Sequence, residues 1–209
     1  MMPVDPLTLL AFVPAGLALN LTPGADMMFC LAQGLRGGPR AALAADAGIA
    51  LGAFFHAAAA GLGLSALVAA EPALLDIIRW LGVCYLLWLA YSSFRTGPTP
   101  DATAPVLAPS RAFQQALLVN LTNPKVILFV LAFVPQFVDP ARGAILPQFL
   151  IFGLILATGG LIINGVVGVF AGSLGRRLAN SPRFARALRW TTAGVFTALA
   201  ARLALMERS

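Results

Sequence analysis

Three charges, Asp26, Asp46 and Lys125, fall inside long apolar runs, and two of them stand beside prolines. Asp26 closes the stretch Asn20-Leu21-Thr22-Pro23-Gly24-Ala25-Asp26, and Lys125 closes Asn120-Leu121-Thr122-Asn123-Pro124-Lys125, which begins one hundred residues later. A charge inside a membrane is costly, and by default it marks a pathway or a binding site. A carboxylate there can hold an ammonium group or carry a proton, and an ammonium can hold a carboxylate. Together the two suit a zwitterion such as an amino acid. A mutual ion pair that only joins the two halves of the chain is the plainer alternative. His56 is the only histidine, and an ordinary pKa of about 6.5 suits it to proton coupling. An interhelical hydrogen bond would explain it equally well. Asn20 and Asn120 are expected to satisfy freed backbone groups or to touch substrate.

The prolines set the geometry these groups require. Proline lacks an N–H and clashes with the turn before it. Pro23 and Pro124 are therefore expected to interrupt their helices and to free the carbonyls of Leu19 and Asn120. Thr22 and Asn123 each precede a proline, as an N-cap precedes Pro at the first helical position. Each interruption would start a half-helix whose N-terminus attracts anions, with Lys125 adding a positive charge. Pro23, Gly24 and Pro124 are read as residues that shape the site. Such interruptions at membrane depth are tolerated only against protein or a watery cavity. Paired in two halves of a chain, they point to a transport site.

Composition requires a membrane. The chain has 209 residues, of which 59% are hydrophobic and 11% charged, against about 25% charged in a soluble domain. Runs able to span about 30 Å of hydrocarbon are Leu7–Ala32, Ala41–Ala69, Ala73–Phe94, Phe113–Val138, Ile145–Ser173 and Leu188–Leu205. The expected fold is all-α and integral to the membrane, with six helices as two inverted three-helix repeats, the first and fourth broken at proline. The whole chain, 1–209, is one transmembrane domain. It divides into repeat one (7–95), a proline-rich cytoplasmic linker (96–111) and repeat two (112–206). Trp80, Tyr85, Trp88 and Tyr91 read as interfacial anchors, and the glycines of the second and fifth runs as close-packing positions. No cleavable signal peptide is expected, because no basic segment precedes the first apolar run.

Charge orients the chain. The connections on one side hold nine arginines against Asp101 alone, and the other side holds four arginines against five acids. Basic loops stay cytoplasmic, so both termini are expected outside. The net charge of +6 thus reflects topology rather than nucleic acid. Arg176–Arg189 reads as part of that determinant, with contact to anionic lipid as the alternative. Asp46, under two turns from Arg40, is expected to reach the cytoplasmic interface. Cys30 and Cys84 form no redox or metal spacing and read as small hydrophobes, and Asn164 as an interhelical hydrogen-bonding group. No metal and no cofactor is expected. The expected partners are an amino-acid substrate, protons and membrane lipids, with a homo-oligomer left open.

Several stretches also resemble the LysE/RhtB family of amino-acid exporters. In the first half these are Pro23-Gly24-Ala25-Asp26-Met27, Leu35-Arg36-Gly37-Gly38, Gly48-Ile49-Ala50-Leu51-Gly52 with His56, Gly61-Leu62-Gly63-Leu64-Ser65, Trp80-Leu81-Gly82 and Tyr85-Leu86-Leu87-Trp88-Leu89. In the second half they are Leu118-Val119-Asn120-Leu121-Thr122-Asn123-Pro124-Lys125 and Phe133-Val134-Pro135-Gln136-Phe137-Val138. The Asn-Pro-Lys form is similar to the homoserine/threonine-type branch, and Ala25 stands where the family's usual motif has a second proline. The resemblance implies export of amino acids or their derivatives across the inner membrane, driven by the proton-motive force, and no enzyme activity. Two other classes remain as alternatives. A thiol-disulfide electron carrier would use Cys30 and Cys84, and a metal-ion efflux protein would need a ligand cluster that the sequence lacks.

Overall fold

The computed structural model describes residues 2–70, 74–94, 107–171 and 181–205. Among these, seven α-helices and two short 3-10 turns, and no strand, make up the regular structure. The helices are α1 (Pro6–Leu21), α2 (Ala25–Ala70), α3 (Leu74–Ser92), α4 (Pro109–Leu121), α5 (Pro124–Ala132), α6 (Ile145–Val169) and α7 (Pro182–Leu205). Asp5 caps α1, its Oδ2 accepting from the Leu7 amide at 3.0 Å.

α2 is two helices run together. Gly38 has φ 76° and ψ −174°, a left-handed φ that glycine adopts without a Cβ penalty. Pro39 follows and starts the second arm. Gly34 on the first arm and Ala42 on the second both touch Gly168 of α6. Eight residues of straight helix would separate them by about 12 Å, so the arms fold toward one another at Gly38. The expected connection between the first two runs is thereby reduced to a single residue.

α6 packs along α2, and both rely on glycine. A Cβ at Gly153 would meet Ala57, one at Gly61 would meet Phe149, and one at Gly168 would meet the Ala42 side chain at 2.7 Å. A second core lies between α1, α5 and α6, where Phe12 is ringed by Phe129, Phe133, Phe137 and Phe152 at centroid distances of 4.6–6.5 Å. Such aromatic pairs add about 0.5–1.5 kcal/mol each beyond their buried area. α3 packs against α7. Arg142 reaches both Asp5 (3.3 Å) and Asp139 (3.5 Å), which brings the start of α1 and the segment before α6 to one end.

The outward faces are apolar, with Leu7 74% and Trp190 65% exposed and Leu62, Leu154 and Ile162 also open. Lipid, not water, is the medium that suits such a surface. Among the described residues, Ala25–Leu64 and Ile145–Val169 are long and apolar enough to cross a membrane. The pair Pro109–Leu121 and Pro124–Phe137, bent by 51°, makes a third span if counted as one. Pro6–Leu21 and Ile77–Ser92 are shorter apolar helices. Length and apolarity therefore qualify fewer segments than the six expected.

Several boundaries differ from expectation. α4 starts at Pro109, inside the stretch read as linker, because Pro fits the first helical turn. α7 starts at Pro182, ahead of Leu188, for the same reason. Residues 96–106 of the linker, Arg176 and Arg177 lie outside the described residues. Overpacking a tight interface costs about 1–3 kcal/mol. Gly168→Leu should therefore lower the thermal unfolding midpoint of the detergent-solubilised protein. Gly63→Ala, where nothing lies within 4 Å, should not lower it.

Candidate functional site

α1 ends at Leu21 and α2 begins at Ala25, while α4 ends at Leu121 and α5 begins at Pro124. Both gaps contain the motif residues, and the two gaps meet. The Lys125 ammonium donates to the carbonyls of Leu19 (2.9 Å) and Thr22 (2.8 Å). These carbonyls lie at the C-terminal end of α1, the negative pole of its dipole, where a cation is favoured. Lys125 thus faces a helix C-terminus and not the paired N-termini expected from the sequence. Gly24 makes room for it, since a Cβ there would stand 3.2 Å from Nζ.

The other freed carbonyl, that of Asn120, takes a hydrogen bond from His56 Nε2 at 3.1 Å. A carbonyl oxygen only accepts, so Nε2 carries the hydrogen. The Asn120 carbonyl also accepts from the Asn123 amide at 2.9 Å. Leu19 and Asn120 are the two residues lying four places before Pro23 and Pro124. Each of their carbonyls is met by a polar side chain from another helix.

Asp26 stands in the first turn of α2, 7% exposed. Its Oδ2 accepts from Asn120 Nδ2 at 2.9 Å. Asn120 thereby joins His56 to Asp26, through its backbone on one side and its side chain on the other. It sits against Gly52, where a Cβ would come within 2.5 Å of Asn120 Oδ1. Three buried atoms in this cluster have no hydrogen-bond partner among the described residues: Asp26 Oδ1, Asn120 Oδ1 and Asn123 Nδ2. Buried polar atoms are ordinarily bonded, so two acceptors and one donor stand unmatched where the two gaps meet.

Asn123 caps α5 through its Oδ1, which accepts from the Lys125 amide at 3.0 Å. Thr22 does not cap α2. Its hydroxyl donates back to the Ala18 carbonyl at 2.6 Å, and Thr22 is the C-cap of α1. Asn20 also points elsewhere, donating to Leu156 of α6 at 3.1 Å beside Gly159. Asp26 and Lys125 lie within electrostatic reach of one another but are not in ion-pair contact, Lys125 donating to the end of α1 and Asp26 accepting from Asn120. The site thus gathers Asp26, His56, Asn120, Asn123, Lys125 and Gly24 and leaves Asn20 aside.

Two further expectations are corrected. Tyr85 is buried, and its hydroxyl donates to the Lys125 carbonyl at 3.1 Å. It belongs to a buried stripe with Val83, Leu86, Leu89 and Ala90, while Trp88, three residues on, stacks on its ring at 5.5 Å from an exposed position. Asp46 does not reach an interface, being 1% exposed with both carboxyl oxygens unpartnered. The structure also adds Gln33, buried with Oε1 unpartnered. Its signal was the i, i+4, i+7 spacing of Asp26, Cys30 and Gln33 on one helical face. Cys30 is buried and Cys84 exposed, both with free thiols. Among the described residues, no group of three His, Cys, Asp or Glu could hold a metal ion.

Residues 17–207 match a family model described as LysE type translocator. The chain belongs to the LysE family. The LysE-family chain is 35% identical to an uncharacterized membrane protein of Vibrio cholerae, over 80% of this chain and 82% of that one. It is 31% identical to the homoserine/homoserine lactone efflux protein of Salmonella typhimurium, over 93% and 94% of the two chains. The leucine efflux protein of Klebsiella pneumoniae is 29% identical over 96% of each. No solved structure matches.

Removing the Lys125 ammonium would leave the carbonyls of Leu19 and Thr22 without it. Leaving a buried acceptor unsatisfied costs about 1–3 kcal/mol. Lys125→Met should therefore destabilise the protein in detergent unfolding more than Tyr85→Phe, which deletes one neutral hydrogen bond. Equal effects would show that Lys125 does not hold the two gaps together.

Proposed function

We propose that this LysE-family membrane protein is a secondary active exporter of amino acids or amino-acid derivatives, working by proton antiport across the cytoplasmic membrane. The observation that carries the reading is the set of unpartnered buried atoms where the two gaps meet. Asp26 Oδ1 and Asn120 Oδ1 accept, and suit an α-ammonium group. Asn123 Nδ2 donates, and suits a carboxylate, with the Lys125 ammonium close by at the same junction. Relatives named for efflux of homoserine, homoserine lactone and leucine support the substrate class.

Asp26 is the proposed coupling carboxylate. Substrate ammonium and proton would compete for it, which is the minimum requirement of an antiporter. His56 reaches it through Asn120 and is proposed to adjust that exchange. A tight Lys125 contact with the end of α1 would hold the gap closed until a substrate carboxylate draws the ammonium away.

The same reading includes six spans in two inverted repeats, with α1 and the first arm of α2 forming one broken span and α4 with α5 another. Reciprocal packing supports it. Asn20 of the first half lies on Gly159 of the second, and Asn120 of the second half lies on Gly52 of the first. The α2–α6 and α3–α7 contacts likewise join counterpart helices. With basic loops inside, both termini would face outward. Protons and surrounding lipids are the other partners, and the proposal calls for no catalysis.

Inside-out vesicles with an acidic lumen test the proposal. Labelled neutral amino acids should accumulate with the wild-type protein, and Asp26→Asn should abolish that accumulation while inserting normally. Gradient-driven accumulation by Asp26→Asn would remove Asp26 from the coupling path. Failure of every amino acid and derivative offered to the wild type would overturn the substrate class. A Cys30→Ala, Cys84→Ala double variant should transport as the wild type does, because neither thiol lies at a gap.

A further inference from the structure

Asp46 has no part in the site just described, yet it is among the most deeply buried polar residues of the chain. Its carboxyl group sits on the second arm of α2, and Oδ2 lies 2.8 Å from where a Cβ of Gly165 would be. The Leu43 side chain lines the same spot. One turn further along α6, Gly168 meets Gly34, Ala42 and the Cys30 carbonyl. The carboxyl group is therefore enclosed in the closest-packed part of the α2–α6 seam.

The groups around it are few. From the first arm of α2, Cys30 lies within electrostatic reach of both Asp46 and Asp26. The same face carries Gln33, whose Oε1 is buried and also unpartnered. From α6 the facing residues are Gly165 and Gly168. From α4, Ala112 and Ala116 join Cys30, Ala45 and Ile49 in one apolar cluster. Among the described residues no cation is paired with Asp46, and no donor bonds either oxygen. An ionised carboxylate with neither a cation nor a donor beside it is strongly disfavoured in such surroundings. Gly165 packs α6 directly against Oδ2, and a proton is the smallest group that neutralises the carboxylate there.

We infer that Asp46 is a second proton-binding site, one that must hold a proton for the α2–α6 seam to close and that loses it when the seam opens. The inference deepens the proton-coupled reading above and rests on it for its role in transport. A neutral carboxyl group fits the closed seam, and an ionised one requires water to enter. Closure is therefore favoured at low pH and lost as pH rises through the titration of this group. Cys30, one turn from Asp26, is within electrostatic reach of both carboxyl groups.

Infrared difference spectra of the purified protein in lipid, taken between acidic and alkaline pH, detect the C=O stretch of a protonated carboxyl group directly. The wild type should lose such a band on alkalinisation. Asp46→Asn should lack that band, and Asp26→Asn should retain it. Gly165→Ala, which pushes a methyl group against Oδ2, should move the loss of the band to lower pH. Persistence in Asp46→Asn of the same band that Asp26→Asn retains would overturn the inference, as would an unshifted Gly165→Ala titration. So would failure of Asp46→Asn to accumulate in the membrane, since a neutral amide of the same shape fits where the carboxyl group is neutral. The spectra need no substrate. A protein with the Asp46 band but no amino-acid transport fails only the proposed function, and coupled transport without the band fails only this inference.

Discussion

The contact on which the rest of the structure depends is the Lys125 ammonium against the carbonyls of Leu19 and Thr22. An apolar environment provides no water to bond a freed carbonyl. A helix that stops part-way in such surroundings needs a donor from elsewhere in the protein. Lys125 supplies that donor across 106 residues of sequence, and its charge matches the negative pole of α1. The neighbouring features follow from that placement. Gly24 must lack a side chain, Asn123 fixes the amide of Lys125, and Tyr85 anchors its carbonyl. The second gap repeats the solution with an imidazole N–H, His56 meeting Asn120.

Placing the gaps together has a chemical consequence. Asp26 is brought to Asn120, and Asn120 to His56, so that an acid and a base share one bridging residue. Each half of the chain satisfies the interrupted backbone of the other, which leaves side-chain atoms of Asp26, Asn120 and Asn123 over. Under the proposed function those leftover atoms are what a zwitterion would bind. The glycines of α2 and α6 serve the same end by a different means. They let two helices approach until a polar side chain, Asn120 at Gly52 or Asp46 at Gly165, fills the space a methyl group would take. Close packing and buried polarity are here the same feature.

Much of this was legible in the amino-acid sequence. A charge, a proline and an asparagine inside an apolar run are physically improbable unless another part of the protein accounts for them. That improbability marked Asp26, Lys125, His56, Asn120 and Asn123 without any coordinates. The carbonyls needing outside donors, those of Leu19 and Asn120, followed from counting four residues back from each proline. Membrane residence followed from composition, and the all-helical fold from the length of the apolar runs.

Tertiary structure decided what each of those residues touches. Lys125 faces a helix C-terminus and not an N-terminus, and Thr22 bonds backward to Ala18. Asn20, the counterpart of Asn120, turns to α6 instead. Asp46 read as an interfacial residue because Arg40 lies close by in sequence, but the fold at Gly38 turns it into the seam against Gly165. Local sequence determines which groups cannot be left to lipid, because that depends on the chemistry of each residue and on helix periodicity. Which partner satisfies each group depends on how segments a hundred residues apart approach one another, and only the packed chain fixes that.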